Sequence, residues 1–298
     1  MSDPARVLKD LRQEREFLIG IDSDGCAFDT MEIKHKECFI PNIIKYWNLQ
    51  PISKYARETA EFVNLYSKWR GLNRFPALIK VFDLLADREE VKRRSFKLPE
   101  IASLRNWVKT ETKLGNPALE KKVKETGDPI LEVTLEWTVA VNKGIADLVH
   151  GVPPYPYVRE SLAKLQDHAQ VVVVSQTPNE ALEREWAGHD LVKYLRVIAG
   201  QEMGGKAECL GYAKAAGKYE DDHVLMIGDA PGDLIAAKVN RALFYPINPG
   251  AEERSWKRFY EEAFDKFING QYHGAYETEL IAEFEIYLPS TPPWRVTY

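Results

Sequence analysis

The stretch FLIGIDSDGCAFDT, residues 17–30, carries an apolar run straight into acids. Asp22 and Asp24 stand two residues apart, Gly25 follows, and Asp29 comes shortly after. Like charges repel and buried charge is costly, so carboxylates gathered at the end of a buried-looking segment call for something positive beside them. A metal ion is the simplest such partner. Other segments end in the same manner. QVVVVS runs into Ser175, Gln176 and Thr177, VLMIG runs into Asp229 and Asp233, and Lys206 opens a helical pattern after GQEMGG.

The elements that must position these groups follow from patterning. FLIGI, QVVVVS, VIA (197–199), VLMIG (224–228) and ALFYP (242–246) are short and nearly continuously apolar, as strands covered on both faces are. Helical patterns separate the later ones, among them YVRESLAKLQDHA, NEALEREWAGHDLV, KAECLGYAKAAG and GDLIAAKVN. This alternation predicts a parallel sheet with right-handed crossovers. In such a sheet the strand C-termini share one edge, where ligands bind, so acids far apart in sequence converge. Residues 31–150 differ, with helical periodicity nearly throughout and no clear strand. Within them GNPALEKKV carries its own start signal, Asn116 as the N-cap and Pro117 at the first helical position. The proline-rich GVPPYPYV (151–158) closes the stretch. The expectation is an α/β, Rossmann-like core of residues 1–30 and 151–298 interrupted by an all-helical domain, residues 31–150. The end of the chain, 248–298, predicts two further helices rich in aromatic residues.

Four segments, in order and in context, resemble the four motifs of the haloacid dehalogenase superfamily. DSDG is similar to its DxDG motif, VVVVSQT to the apolar strand ending in Ser or Thr, Lys206 to its lysine, and MIGDAPGD to GDxxxD. DGCAFDT also resembles the lead-in of members with a helical cap inserted after the first motif. Each segment alone admits a plainer reading. DSDG makes a turn, Asp233 or Ser175 caps a helix, and a lone lysine lies on the surface. Four in order distinguish the resemblance from accident.

The resemblance implies an aspartyl-phosphate chemistry with Asp22 as nucleophile. Mg²⁺ would be held by Asp22, the Asp24 carbonyl and Asp229, with Asp233 direct or through water. The Asp24 side chain would act as acid and base, Lys206 would supply positive charge, and Ser175 with Gln176 would bind the phosphoryl group. Substrate choice would fall to the inserted helices. There Arg70 and Arg74 flank Gly71 and are candidates for a second anionic group on the substrate, against a plainer reading as surface arginines. The implied activity is a Mg²⁺-dependent phosphatase acting on a small phosphorylated metabolite. A phosphomutase using the same motifs and a non-catalytic phosphometabolite-binding protein stand as alternatives. Dehalogenation is disfavoured because those relatives lack the second acid, and phosphonate cleavage because no lysine declares itself as a Schiff base. Cys26 stands where the family often has Thr and reads as a small buried side chain, while the aromatic tail has no counterpart in the family pattern.

Bulk properties set the frame. The 298 residues fit one large domain or two moderate ones, and 45% hydrophobic residues suffice for a core. A net charge of −5 gives no support to nucleic-acid or anionic-membrane binding. The basic run KRRSFK (92–97) follows DREEV and is locally balanced. No apolar stretch reaches bilayer-spanning length, and the polar start MSDPARVLKDLRQERE is no signal peptide. Three scattered cysteines make neither a disulfide framework nor a metal spacing. The expected setting is a reducing cytoplasm, with the protein a monomer or homodimer.

Overall fold

The computed structural model describes residues 3–295. The chain divides into two compact units. One comprises residues up to Thr30 together with Gly151–Pro289, and the other Met31–His150 together with the described residues from Ser290 onward.

The first unit is built on five parallel strands. They are β1 (Phe17–Ile21), β2 (Ala169–Val174), β3 (Val197–Ala199), β4 (Val224–Gly228) and β5 (Leu243–Pro246), in the order β3-β2-β1-β4-β5. Continuous apolarity follows from burial on both faces: β1, β2, β4 and β5 are buried along their whole length. Alternate residues divide between two cores. Ile19, Ile21, Val173 and Ile227 face one side with Trp186, Trp256 and Phe264. Leu18, Val172, Val174 and Met226 face the other with Leu210 and Phe284. Gly20 lies on that second side because a Cβ there would stand 3.0 Å from both Leu210 and Met226.

Registration sets the functional edge. Ile21 pairs with Val173 on one flank and Ile227 on the other, and the Asp22 N–H extends the ladder to the Ile227 carbonyl at 3.0 Å. Asp22 therefore leaves the central strand level with Val174 and Gly228, one residue before Ser175 and Asp229 leave its neighbours.

The aromatic tail completes one face of this unit. Its helical run covers Glu252–Arg258, a π turn at Phe259–Ala263 and Phe264–Ile268, followed by the helix Ala275–Tyr287. The buried Trp256 donates its indole N–H to the Cys26 carbonyl at 2.7 Å. The Tyr272 hydroxyl donates to the Phe244 carbonyl at 2.7 Å. Trp256, Phe259, Phe264, Phe267, Tyr272 and Phe284 of the tail are thus core.

The second unit is helical, with Ser53–Leu65, Arg74–Asp87, Ala102–Thr110, Asn116–Thr126 and Pro129–Leu148 as its longer members. Its core is aromatic: Trp107 meets Phe75 edge-on at 4.9 Å and Trp47 meets Phe82 at 5.1 Å. Two details differ from expectation. Gly115, not Asn116, caps the helix Asn116–Thr126, because the Asn116 side-chain oxygen instead accepts the Thr138 hydroxyl at 2.9 Å. And the last described residues group with this unit, not with the sheet. The physical reason is Arg88. Its buried guanidinium pairs with Glu58 at 2.7 Å, and Trp294 covers it at 4.3 Å while Arg295 pairs with Asp87 at 2.5 Å. The final three residues of the predicted C-terminal extension lie outside the described residues. No helix among the described residues is long and apolar enough to cross a membrane.

Trp256 joins the tail to the loop after β1, so its removal opens a large cavity. Trp256→Ala is expected to lose about 3–5 kcal/mol of unfolding free energy in a urea titration, by analogy with other large buried aromatics.

Candidate active site

Three carboxylates from two strand ends and one helix meet at the functional edge. Asp22 follows β1, Asp229 follows β4, and Asp233 stands in the first turn of the helix Pro231–Val239. One oxygen from each lies within 4.8 Å of the others, and all three residues are buried. Lys206, the first residue of the helix Lys206–Gly217, reaches into them. Its Nζ lies 2.8 Å from Asp22 Oδ2 and 2.6 Å from Asp233 Oδ1.

Asp233 is at once cap and cluster member. Its Oδ2 accepts the backbone N–H groups of Asp229 at 3.2 Å and Ala230 at 3.0 Å, while its Oδ1 takes the lysine. Gly228 makes this possible: a Cβ there would fall 2.3 Å from the Asp233 Cβ. One side chain thus both accepts the backbone N–H groups at the helix start and lies in the acid cluster.

The charges explain each other. Burial by itself would lower the pKa of the Lys206 ammonium, but Asp22, Asp233 and Asp229 outweigh it and hold the pKa raised. Burial pushes the Asp233 carboxyl up to about 6, with the Asp22 charge adding to that effect and Lys206 opposing it. Three carboxylates against one ammonium leave two negative charges when all are ionised. The donors are all oxygen. This set fits a hard divalent cation, so Asp22, Asp229 and Asp233 could hold a metal ion.

Asp24 is separate. Its side chain is half-buried and takes the Thr177 hydroxyl on Oδ2 at 2.6 Å and the Thr30 hydroxyl on Oδ1. Gly25, at φ 74°, turns the chain away directly afterwards. The two threonines were not singled out by sequence reasoning for this task, although both lie in the segments quoted for the resemblance. Their signal was local: each is a hydroxyl residue within a few positions of a motif acid or strand end. Ser175 is buried beside the same edge, its Oγ accepting the Thr177 N–H at 3.2 Å. Gln176 is exposed and donates to the Gly204 carbonyl at 3.2 Å.

Cys26 is fully buried, and burial together with the nearby acids pushes its thiol well up, so it stays protonated. Arg70 is buried within the helical unit and donates to the Leu65 carbonyl at 2.9 Å. Arg74 donates to Thr138 Oγ1 and Asn142 Oδ1, each at 2.7 Å, and lies 5.0 Å over the Phe39 ring. Burial lowers its pKa to about 10. Neither is a loose surface arginine.

With this geometry in place, the comparisons assign the class. The sequence model of the haloacid dehalogenase-like hydrolase family matches residues 72–243, more than half of the 298-residue chain. The chain belongs to that family. The matched span includes Ser175, Lys206, Asp229 and Asp233 and begins after Asp22 and Asp24, which rest on the motif and the geometry. No curated protein matches the sequence. Among solved structures the chain is similar to a haloacid dehalogenase-like family hydrolase from Streptococcus pneumoniae, at 12% identity and TM-score 0.42, covering 81% of this chain and 90% of that one. It is similar to a superfamily hydrolase from Geobacter sulfurreducens, at 16% and 0.42, covering 78% and 88%. A proposed phosphoglycolate phosphatase from Lactobacillus delbrueckii subsp. bulgaricus gives 14% and 0.48, covering 86% and 98%. Likenesses at this level carry no argument about activity.

The raised Asp233 sets the sign of a pH effect. An acid whose folded pKa exceeds its unfolded value contributes stability that is full below the unfolded pKa and is lost as pH rises through the folded one. In chelated protein, the melting temperature is expected to fall between about pH 4 and about pH 7 relative to that of Asp233→Asn. A divalent cation at a hundredfold its dissociation constant should add about 2.7 kcal/mol at neutral pH, and Asp229→Asn should abolish that gain in a thermal melt.

Proposed function

We propose that this hydrolase is a Mg²⁺-dependent phosphatase that acts on a small phosphorylated metabolite through an aspartyl-phosphate intermediate. The observation that carries the reading is the cluster of Asp22, Asp229 and Asp233 with Lys206 bridging Asp22 and Asp233, at the end of the central strand. An anionic nucleophile attacking an anionic ester needs concentrated positive charge, and this is where the chain provides for it.

Asp22 is the nucleophile in this reading. Its carboxylate oxygen bonds to phosphorus as the bond to the ester oxygen breaks. Asp24 gives a proton to the departing alkoxide, then takes one from the water that attacks the acyl-phosphate. Such acid–base help is worth about 10²–10⁴-fold. Thr30 and Thr177 hold both Asp24 oxygens, which fixes the carboxyl's orientation. In this reading Lys206 offsets the charge of Asp22 and of the phosphoryl oxygens, and the Ser175 hydroxyl donates to the phosphoryl group. Mg²⁺, when held by Asp22, Asp229, Asp233 and the Asp24 carbonyl, supplies Lewis-acid stabilisation of the developing charge. Three free, buried thiols suit a reducing cytoplasm.

A panel of phosphate esters, with p-nitrophenyl phosphate as the generic member, tests this. Turnover is expected with Mg²⁺ and not with EDTA. Asp22→Asn should abolish it, and Asp24→Asn should cost about 10²-fold or more. Tight phosphate-ester binding without turnover in the native protein would instead identify a binding protein. Undiminished turnover in Asp22→Asn would exclude the covalent route.

A further inference from the structure

Ser23 stands between Asp22 and Asp24 and has no role in the chemistry above. It is fully buried. Its Oγ accepts the Trp186 indole N–H at 3.0 Å and donates to Glu185 Oε2 at 3.1 Å. The direction of both bonds is set by chemistry: an indole N–H can only donate, and a carboxylate can only accept. The hydroxyl is therefore confined to one rotamer. Its backbone is confined as well, since the Ser23 carbonyl accepts the N–H groups of Cys26, Ala27 and Phe28 at 3.3, 2.9 and 3.0 Å.

Both side-chain partners come from the helix Asn179–Gly188. Trp186 is fully buried and meets Phe28 edge-on at 5.2 Å, so one indole touches both ends of the 23–28 loop. The same helix starts two residues after Thr177, the residue on Asp24 Oδ2. The helix and the residue shortly before it thus brace Ser23 and Asp24, while Asp22 is held by β4 and Lys206. A fully buried hydroxyl given one donor and one acceptor is costly to leave half-satisfied, and turning it breaks both bonds together.

We propose that Glu185 and Trp186, acting through the Ser23 hydroxyl, are positioning residues that fix the peptide units between Asp22 and Asp24, and thereby set both the cation affinity of the acid cluster and the turnover rate. The turnover half rests on the phosphatase reading; the cation half does not. A brace of this kind outside the direct ligands typically changes metal affinity or activity by about 10–100-fold.

The test uses the full-length protein with Ser23→Ala, Glu185→Ala, Glu185→Gln and the Ser23→Ala/Glu185→Ala double variant. Mg²⁺ titrations are followed by thermal melting and by the Trp186 indole ¹⁵N–H resonance, assigned with Trp186→Phe. Kinetics use p-nitrophenyl phosphate. Ser23→Ala and Glu185→Ala are each expected to weaken the Mg²⁺ midpoint by about tenfold and lower kcat by about 10–100-fold, with KM within about twofold. The double variant should be no worse than the poorer single, because both remove the same bond. Glu185→Gln keeps an acceptor and should recover part of the loss. A midpoint and kcat unchanged in the single variants would overturn the proposal, as would single effects that multiply in the double. Should Ser23→Ala not fold, the half-buried Glu185 variants decide in the same way. If the native protein binds Mg²⁺ but hydrolyses no ester, the phosphatase reading fails, and the Mg²⁺ midpoint alone decides this one.

Discussion

Holding three carboxylates out of water beside a single ammonium is the constraint around which the sheet unit is organised. Isolated buried charges are costly, and carboxylates in contact raise each other's pKa. The fold meets this by placing the acids where other groups already point. Asp22 leaves the central strand, flanked by β2 and β4, so it is surrounded by backbone on both sides. Lys206 enters as the first residue of its helix and bridges Asp22 and Asp233. Asp233 has backbone donors on one oxygen and the ammonium on the other. Three carboxylates facing one ammonium make an all-oxygen donor set of negative formal charge, and that imbalance is the feature that invites a hard cation.

The helix starts do a second job at this edge. Lys206 and Asp233 each lie in the first turn of a helix that follows a strand, and Thr177 lies just before another. Short strand-to-helix connections bring side chains from three crossovers within reach of one point. Asp24 belongs to the same arrangement and yet is kept apart, on two threonine hydroxyls. The two motif acids thus meet different partners, Asp22 the Lys206 ammonium and Asp24 the Thr30 and Thr177 hydroxyls. Unlike surroundings are how two carboxyl groups of the same type come to hold different roles.

The helical unit follows other rules. It has its own aromatic core, and its arginines serve it directly. Arg74 ties Thr138 and Asn142 and lies over Phe39, and Arg88 is enclosed by Tyr55, Trp294 and two glutamates. The last described residues group with this unit although the preceding helix, Ala275–Tyr287, packs on β5. Trp294, near the end of the chain, lays its ring over the buried Arg88 guanidinium.

Sequence alone determined the strands, because continuous apolar runs bounded by polar residues are dictated by burial on both faces. It also placed Asp22, Asp24, Ser175, Lys206, Asp229 and Asp233 at strand ends or helix starts, since that depends only on local pattern and chain order. It could not decide which oxygen of which acid meets the lysine, because that turns on the register of β1 against β4 and on the space left by Gly228. Nor could it reveal that Ser23 is held by Glu185 and Trp186, more than 160 residues away in the chain, or that Trp294 belongs to the helical unit. Those pairings have no periodicity to betray them. They exist because packing brings donors and acceptors from distant segments together, and only the tertiary structure contains that distance.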